Sequence, residues 1–111
     1  MSSSRDTHVV QITIFTPNAG QLDEFVKRQV AGVPAFGDIP GWRGTKLYRA
    51  LDGGNAVMVT HFDSVEDQKR FAATAAFAAH RETLLPLLES ASGGPYELVY
   101  ERAPSGAPQP A

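Results

Sequence analysis

The sequence predicts an α+β domain: a four-stranded antiparallel sheet with helices on one face. Two observations carry that prediction. Four runs have strand character with helical periods between them, and they come in the order strand, helix, strand, strand, helix, strand. The 111-residue chain is 42% hydrophobic and 20% charged, which suits one domain with a single modest core, because a chain of this size buries about 65% of its surface. A net charge of −2 with no basic cluster leaves no electrostatic footprint for nucleic acid. The absence of cysteine excludes disulfides, thiolate metal sites and a cysteine nucleophile, and agrees with a reducing compartment. No stretch approaches the ~20 apolar residues of a membrane span, and Met1 is not followed by the apolar run of a signal peptide. A cytoplasmic protein without membrane or nucleic-acid partners is expected.

Residues 1–7 are polar and residues 103–111 carry three prolines, so both read as disordered tails around a domain over 8–102. Residues 8–16 (HVVQITIFT) form a strand apolar on both faces, with Val10, Ile12 and Ile14 on one side and Val9, Gln11, Thr13 and Phe15 on the other. Pro17 stops it. Asn18 with Gln21 makes a capping box that opens a helix, whose inner face is Leu22, Phe25, Val26, Gln29, Val30 and Val33. The prolines and glycines of 34–41 end that helix. Residues 42–51 and 56–62 are strands joined through Asp52, Gly53, Gly54 and Asn55, a composition suited to a hairpin turn. Ser64 with Asp67 repeats the cap and starts a second helical region with Val65, Gln68, Phe71 and Ala72 facing in. Residues 75–91 read as another helix, with Phe77, Ala78, Arg81, Leu84, Leu85 and Leu88 on its inner stripe and Pro86 either bending it or marking a boundary. Gly93, Gly94 and Pro95 end it, and residues 96–102 (YELVYER) form the last strand.

This order is the ferredoxin-like split βαβ arrangement, which covers one sheet face with helices and leaves the other bare. The bare face also carries valines, leucines and aromatics. Left in water it would be an apolar patch on the order of several hundred Å², so a homodimer with its sheets face to face is predicted.

The turn Pro40, Gly41, Trp42, Arg43, Gly44, the hairpin at 52–55 and the run 57–85 resemble the antibiotic biosynthesis monooxygenase family. Within that run the family pattern is the step Phe62, Asp63, Ser64 into a helix, followed by Phe77 and His80 in a Phe-x-x-His spacing. The resemblance implies a dimeric α+β barrel with a pocket between sheet and helices. It also implies a cofactor-independent monooxygenase, with O₂ as co-substrate, that converts an anthrone or related phenolic polyketide to a quinone in secondary metabolism. The substrate's own anion reduces O₂, so no cofactor and no metal are expected. Quinone-forming members carry Trp where this chain has Phe62, and a pocket Asn where it has Met58 or Gln11. The ligand histidine of the haem-degrading branch lies one residue farther from its Phe than His80 lies from Phe77, about 100° around a helix. These departures keep two alternatives open: a polyketide cyclase or other proton-transfer enzyme, and a non-catalytic small-ligand-binding barrel.

Candidate catalytic residues are His80, Tyr48, His61 and Arg81. His80 shares a helical face with Phe77 and Leu84, and an imidazole titrating near 6.5 suits a base or a donor to a phenolate. Tyr48 lies mid-strand where family members often hold a pocket His. It either hydrogen-bonds a substrate carbonyl or packs in the sheet. His61 has the opposite parity from Met58, Thr60 and Phe62, which points it toward the dimer interior unless a bulge turns it. Arg81 matches an Arg near the pocket of quinone-forming relatives, or else pairs with Glu82, Glu89 or Asp67. Phe62, Phe77, Met58, Gln11, Thr13 and Trp42 are the candidate substrate-binding residues. Gln11 and Thr13 are informative because a dry core penalises each unbonded polar group by roughly 1 to 3 kcal/mol, which argues for a wet or ligand-filled cavity beside them. Three scattered histidines make poor metal ligands, and neither a phosphate loop nor a nucleophile elbow is present.

Overall fold

The computed structural model describes residues 9–104. The predicted tail 1–7 and most of the predicted tail 103–111 lie outside that range. Strand β1 (Val9–Pro17) leads into helix α1 (Leu22–Gly32), which tightens into a 3₁₀ turn over Val33–Phe36. Strands β2 (Trp42–Arg49) and β3 (Ala56–Phe62) form the predicted hairpin. Helices α2 (Val65–Ala72) and α3 (Ala75–Leu84) follow, then a 3₁₀ turn over Leu85–Leu87 and strand β4 (Leu88–Glu97). The strands lie in the order β2-β3-β1-β4, every neighbouring pair antiparallel. The fold is the predicted ferredoxin-like α+β arrangement.

Local chemistry explains most boundaries. Ser64 caps α2 by accepting a hydrogen bond from the Asp67 amide at 3.2 Å, as its sequence spacing predicts. Thr74 caps α3 through the Phe77 amide at 3.1 Å, which separates the second helical region into two pieces, as the sequence predicts. The capping box at Asn18 does not form. Gln21 occupies the N-cap of α1 without a side-chain bond, while the Asn18 amide group donates to the Pro86 carbonyl at 3.2 Å and its backbone N–H to Leu87 at 2.8 Å. Asn18 therefore ties the start of α1 to the end of α3, a long-range use that outcompetes the local cap.

The last strand differs from the sequence expectation. The helix predicted to 91 stops at Leu84, because Pro86 cannot donate within it. The strand predicted over 96–102 lies at Leu88–Glu97, and residues 98–104 have no regular structure. Gly93, Gly94 and Pro95, read as a terminator, pair with Thr13, Ile12 and Gln11. Proline is tolerated because β4 is an edge strand. Gly93 adopts φ 146°, and a Cβ there would overlap the backbone of Ile12, so only glycine lets β4 approach β1 at this point.

The apolar core sits at one end of the sheet. Phe25, Ala56, Leu84 and Leu87 are buried together, with Phe15, Leu22, Val26, Leu47 and Leu88 packed against them. Toward the other end the sheet face under the helices changes character. Register brings Gln11, Thr60 and Thr45 into one row across β1, β3 and β2, with Thr13 beside Met58 in the next row. Three strands thus deliver polar side chains beneath the helices, and there the interior opens into a cavity.

Candidate active site

The cavity has a volume of about 530 Å³ and lies between the helix-covered sheet face and α1, α2 and α3, within the range of small-molecule sites. Its wall is aromatic. Phe71 contacts Phe36 (centroids 5.0 Å), Phe77 (5.1 Å) and Phe62 (5.9 Å), the first two edge-on as ring quadrupoles favour. Its floor is polar but uncharged. Gln68 donates to Gln11 at 2.8 Å, and Gln11 donates to Thr13 Oγ1 at 3.2 Å. The Trp42 indole N–H donates to Thr45 Oγ1 at 3.0 Å, and Thr45 in turn to Thr60 at 3.1 Å. The register shift between Trp42 and Gly44 inserts one extra residue, so Trp42 and Thr45 both reach the cavity despite their odd spacing.

His80 closes the site from α3. Its Nε2 lies 2.8 Å from Gln29 Oε1, and its ring stands edge-on to Phe36 with centroids 5.3 Å apart. Burial lowers its pKa below the ordinary histidine value, which favours the neutral form of the imidazole. Arg81 is the one charged side chain among the described lining residues. It takes part in none of the ion pairs found among the described residues, and the acceptor considered for it on α2, Asp67, pairs with Arg70 at 2.6 Å. The salt-bridge reading of Arg81 is therefore corrected.

The structure gathers Phe62, Phe77, Met58, Gln11, Thr13, Trp42, His80 and Arg81 around one cavity and leaves Tyr48 and His61 outside it. Tyr48 pairs with Val57 in the register and is 53% exposed on the opposite sheet face, so its parity corrects the expectation of a pocket residue. His61 lies half-buried on that same face, opposite Val10, as strand parity predicts. In the sequence, Gln29 and Gln68 are legible only as inward-facing helix positions. A glutamine on an otherwise apolar helical stripe was the available signal in both cases. Among the described residues no group of three His, Asp or Glu side chains is placed to hold a metal ion, and no helix is long and apolar enough to cross a membrane.

This combination, a split βαβ sheet with an aromatic cavity under its helices, defines a small α+β pocket protein. The family model for antibiotic biosynthesis monooxygenase matches residues 8–83, and the chain belongs to that family. Solved structures agree in fold. SnoaB of Streptomyces nogalater, described as a cofactor-independent oxygenase, superposes with a TM-score of 0.73 at 20% identity, covering 91% of this chain and 99% of its own. Rv0793 of Mycobacterium tuberculosis gives 0.74 at 18% identity, covering 87% and 100%. SO0527 of Shewanella oneidensis gives 0.74 at 16%, covering 84% and 92%. No curated protein sequence matches the chain.

Proposed function

We propose that this protein is a cofactor-independent monooxygenase that oxidises an anthrone or related phenolic, polyketide-type ring to a quinone. The observation that carries the reading is the half-buried imidazole of His80, set between an uncharged polar floor and an aromatic wall in a family of monooxygenases. A flat ring system fits between the Phe71 cluster and the Gln11 row by stacking and hydrogen bonding. His80 takes a proton from the acidic CH₂ or phenol. The resulting anion is stabilised by Thr and Gln donors and by Arg81, an effect of the oxyanion-hole kind. The anion passes one electron to O₂, the radical pair joins to a hydroperoxide, and loss of water leaves the new carbonyl. In sum, one CH₂ and one O₂ become one C=O and one H₂O. The substrate supplies the electrons, and the neighbour described as cofactor-independent supports that reading.

A proton-transfer reaction without O₂, such as a polyketide cyclisation, is the second reading. It is favoured by Phe62 and Met58, which offer no N–H donor where quinone-forming relatives carry Trp and Asn. Incubation of purified protein with a panel of anthrones and uncyclised polyketides, in air and under argon, separates the two. A product that gains one oxygen and loses two hydrogens only in air supports oxygenation. A product formed equally under argon, unchanged in mass or lacking only water, supports the second reading.

We further propose a homodimer formed through the sheet face opposite the cavity. Val10, Ile12, Val57 and Val59 lie there half-buried, with Ile14, Tyr48 and Tyr96 41%, 53% and 53% exposed. Covering such a face with a second copy removes it from water.

A further inference from the structure

We infer that Gln29 is a positioning residue that fixes the tautomer of His80, keeping Nε2 protonated and Nδ1 as its unprotonated nitrogen. The inference deepens the reading of His80 as the base and rests on it. Gln29 is 5% exposed, a buried amide on the inner face of α1. Both ends of that amide are engaged. Its Oε1 faces His80 Nε2 at 2.8 Å, and its Nε2 donates to Met58 Sδ at 2.9 Å.

The thioether decides the orientation. A methionine sulfur has no proton to give, so a reversed amide would set oxygen lone pairs against sulfur lone pairs and waste its N–H groups. With the amide oxygen held toward α3, the imidazole nitrogen facing it must be the protonated one. Met58 thus acts on the base through Gln29.

The backbone of α1 completes the seat. Gly32 lies three residues after Gln29, on the same helical face. A Cβ at Gly32 would overlap the His80 ring at Cε1 and Nδ1, so glycine is what lets the ring lie against the helix. Phe36 holds the ring edge-on from another side. The groups facing His80 from α1 and the following turn, namely Gln29, Gly32 and Phe36, are neutral. On its own helix Phe77 and Leu84 are neutral too, and Arg81 is the only charged cavity-lining residue among those described. Arg28 pairs with Glu24 at 2.8 Å and also reaches from α1 to α3, where it donates to the Thr83 carbonyl at 3.3 Å.

The test is nitrogen NMR of the full-length protein labelled at histidine, read through two-bond correlations from the ring protons, alongside the pH dependence of turnover on the anthrone that gives the fastest rate. The expected spectrum at neutral pH assigns Nε2–H and a bare Nδ1 to His80. Gln29→Leu should bring the other tautomer into the equilibrium and lower kcat more than it changes KM. Gln29→Glu should raise the His80 pKa by about one unit or more and move the acid limb of the rate profile with it. A bare Nε2 in the unmodified protein, or an unchanged tautomer in Gln29→Leu, would overturn the inference. Turnover by His80→Ala at the unmodified rate would instead overturn the base reading, leaving the tautomer assignment standing.

Discussion

His80 sets the pH response of the site. Its pKa is lowered by burial, and in the proposed reaction the active form is the neutral one. Turnover should therefore rise with pH through a midpoint below the ordinary histidine value of about 6.5 and be flat above pH 7. The same shift works against stability in acid. Between the lowered folded value and about 6.5 the unfolded chain binds the proton more readily, so stability falls as pH drops through that window and is unaffected above it. His80→Ala should abolish the acid limb and cut turnover at least tenfold, measured as kcat against pH. Tyr48→Phe should leave the rate unchanged, since the ring lies on the other sheet face. Residue by residue, much of this site was legible. Gln11 and Thr13 stood out as polar positions in an apolar strand, and His80 aligned with Phe77 and Leu84. Gln29 was legible only as an inward face, because its partners lie 29 and 51 residues away in sequence.

At the scale of elements, caps and pairing glycines decide where the chain turns. Ser64→Ala and Thr74→Ala remove one N-cap bond each and should each cost about 1 kcal/mol, read from the midpoint of urea unfolding. Gly93→Ala should destabilise by more than either, because a Cβ meets the Ile12 backbone and the φ of 146° is foreign to alanine. Hydrogen exchange should show the loss concentrated in the amides joining β1 and β4. The strands and helices before Leu84 follow their sequence periods, with exceptions that include Val30 and Ala72, whose period points inward and which are exposed. The final strand did not, for a physical reason: its middle is Gly93, Gly94 and Pro95, residues with no strand propensity of their own. Pairing with β1 and an edge position override that local preference. The alternation that suggested a strand over 96–102 instead belongs to a segment whose Leu98, Val99 and Tyr100 are 60%, 83% and 74% exposed.

The whole molecule divides its apolar content three ways. A compact cluster around Phe25 and Leu84 holds the domain together, and Phe25→Ala should cost about 3 to 5 kcal/mol in urea unfolding. The second share is the aromatic wall of the cavity, and the third is the sheet face bearing Ile14, Tyr48 and Tyr96. A charge in the middle of that face, Tyr48→Asp, should convert the proposed dimer to monomer in sedimentation velocity. A dimer unaffected by it would place the interface elsewhere. In the proposed reaction the neutral base in the aromatic cavity activates a substrate that itself reduces O₂. Its most direct measurement is oxygen uptake coupled to mass spectrometry with purified, chelator-treated protein and an anthrone. One O₂ consumed per product that has gained one oxygen and lost two hydrogens, with the rate lost in His80→Ala, is the predicted result. Product formation at the same rate under argon, or oxygen uptake unchanged in His80→Ala, would contradict it.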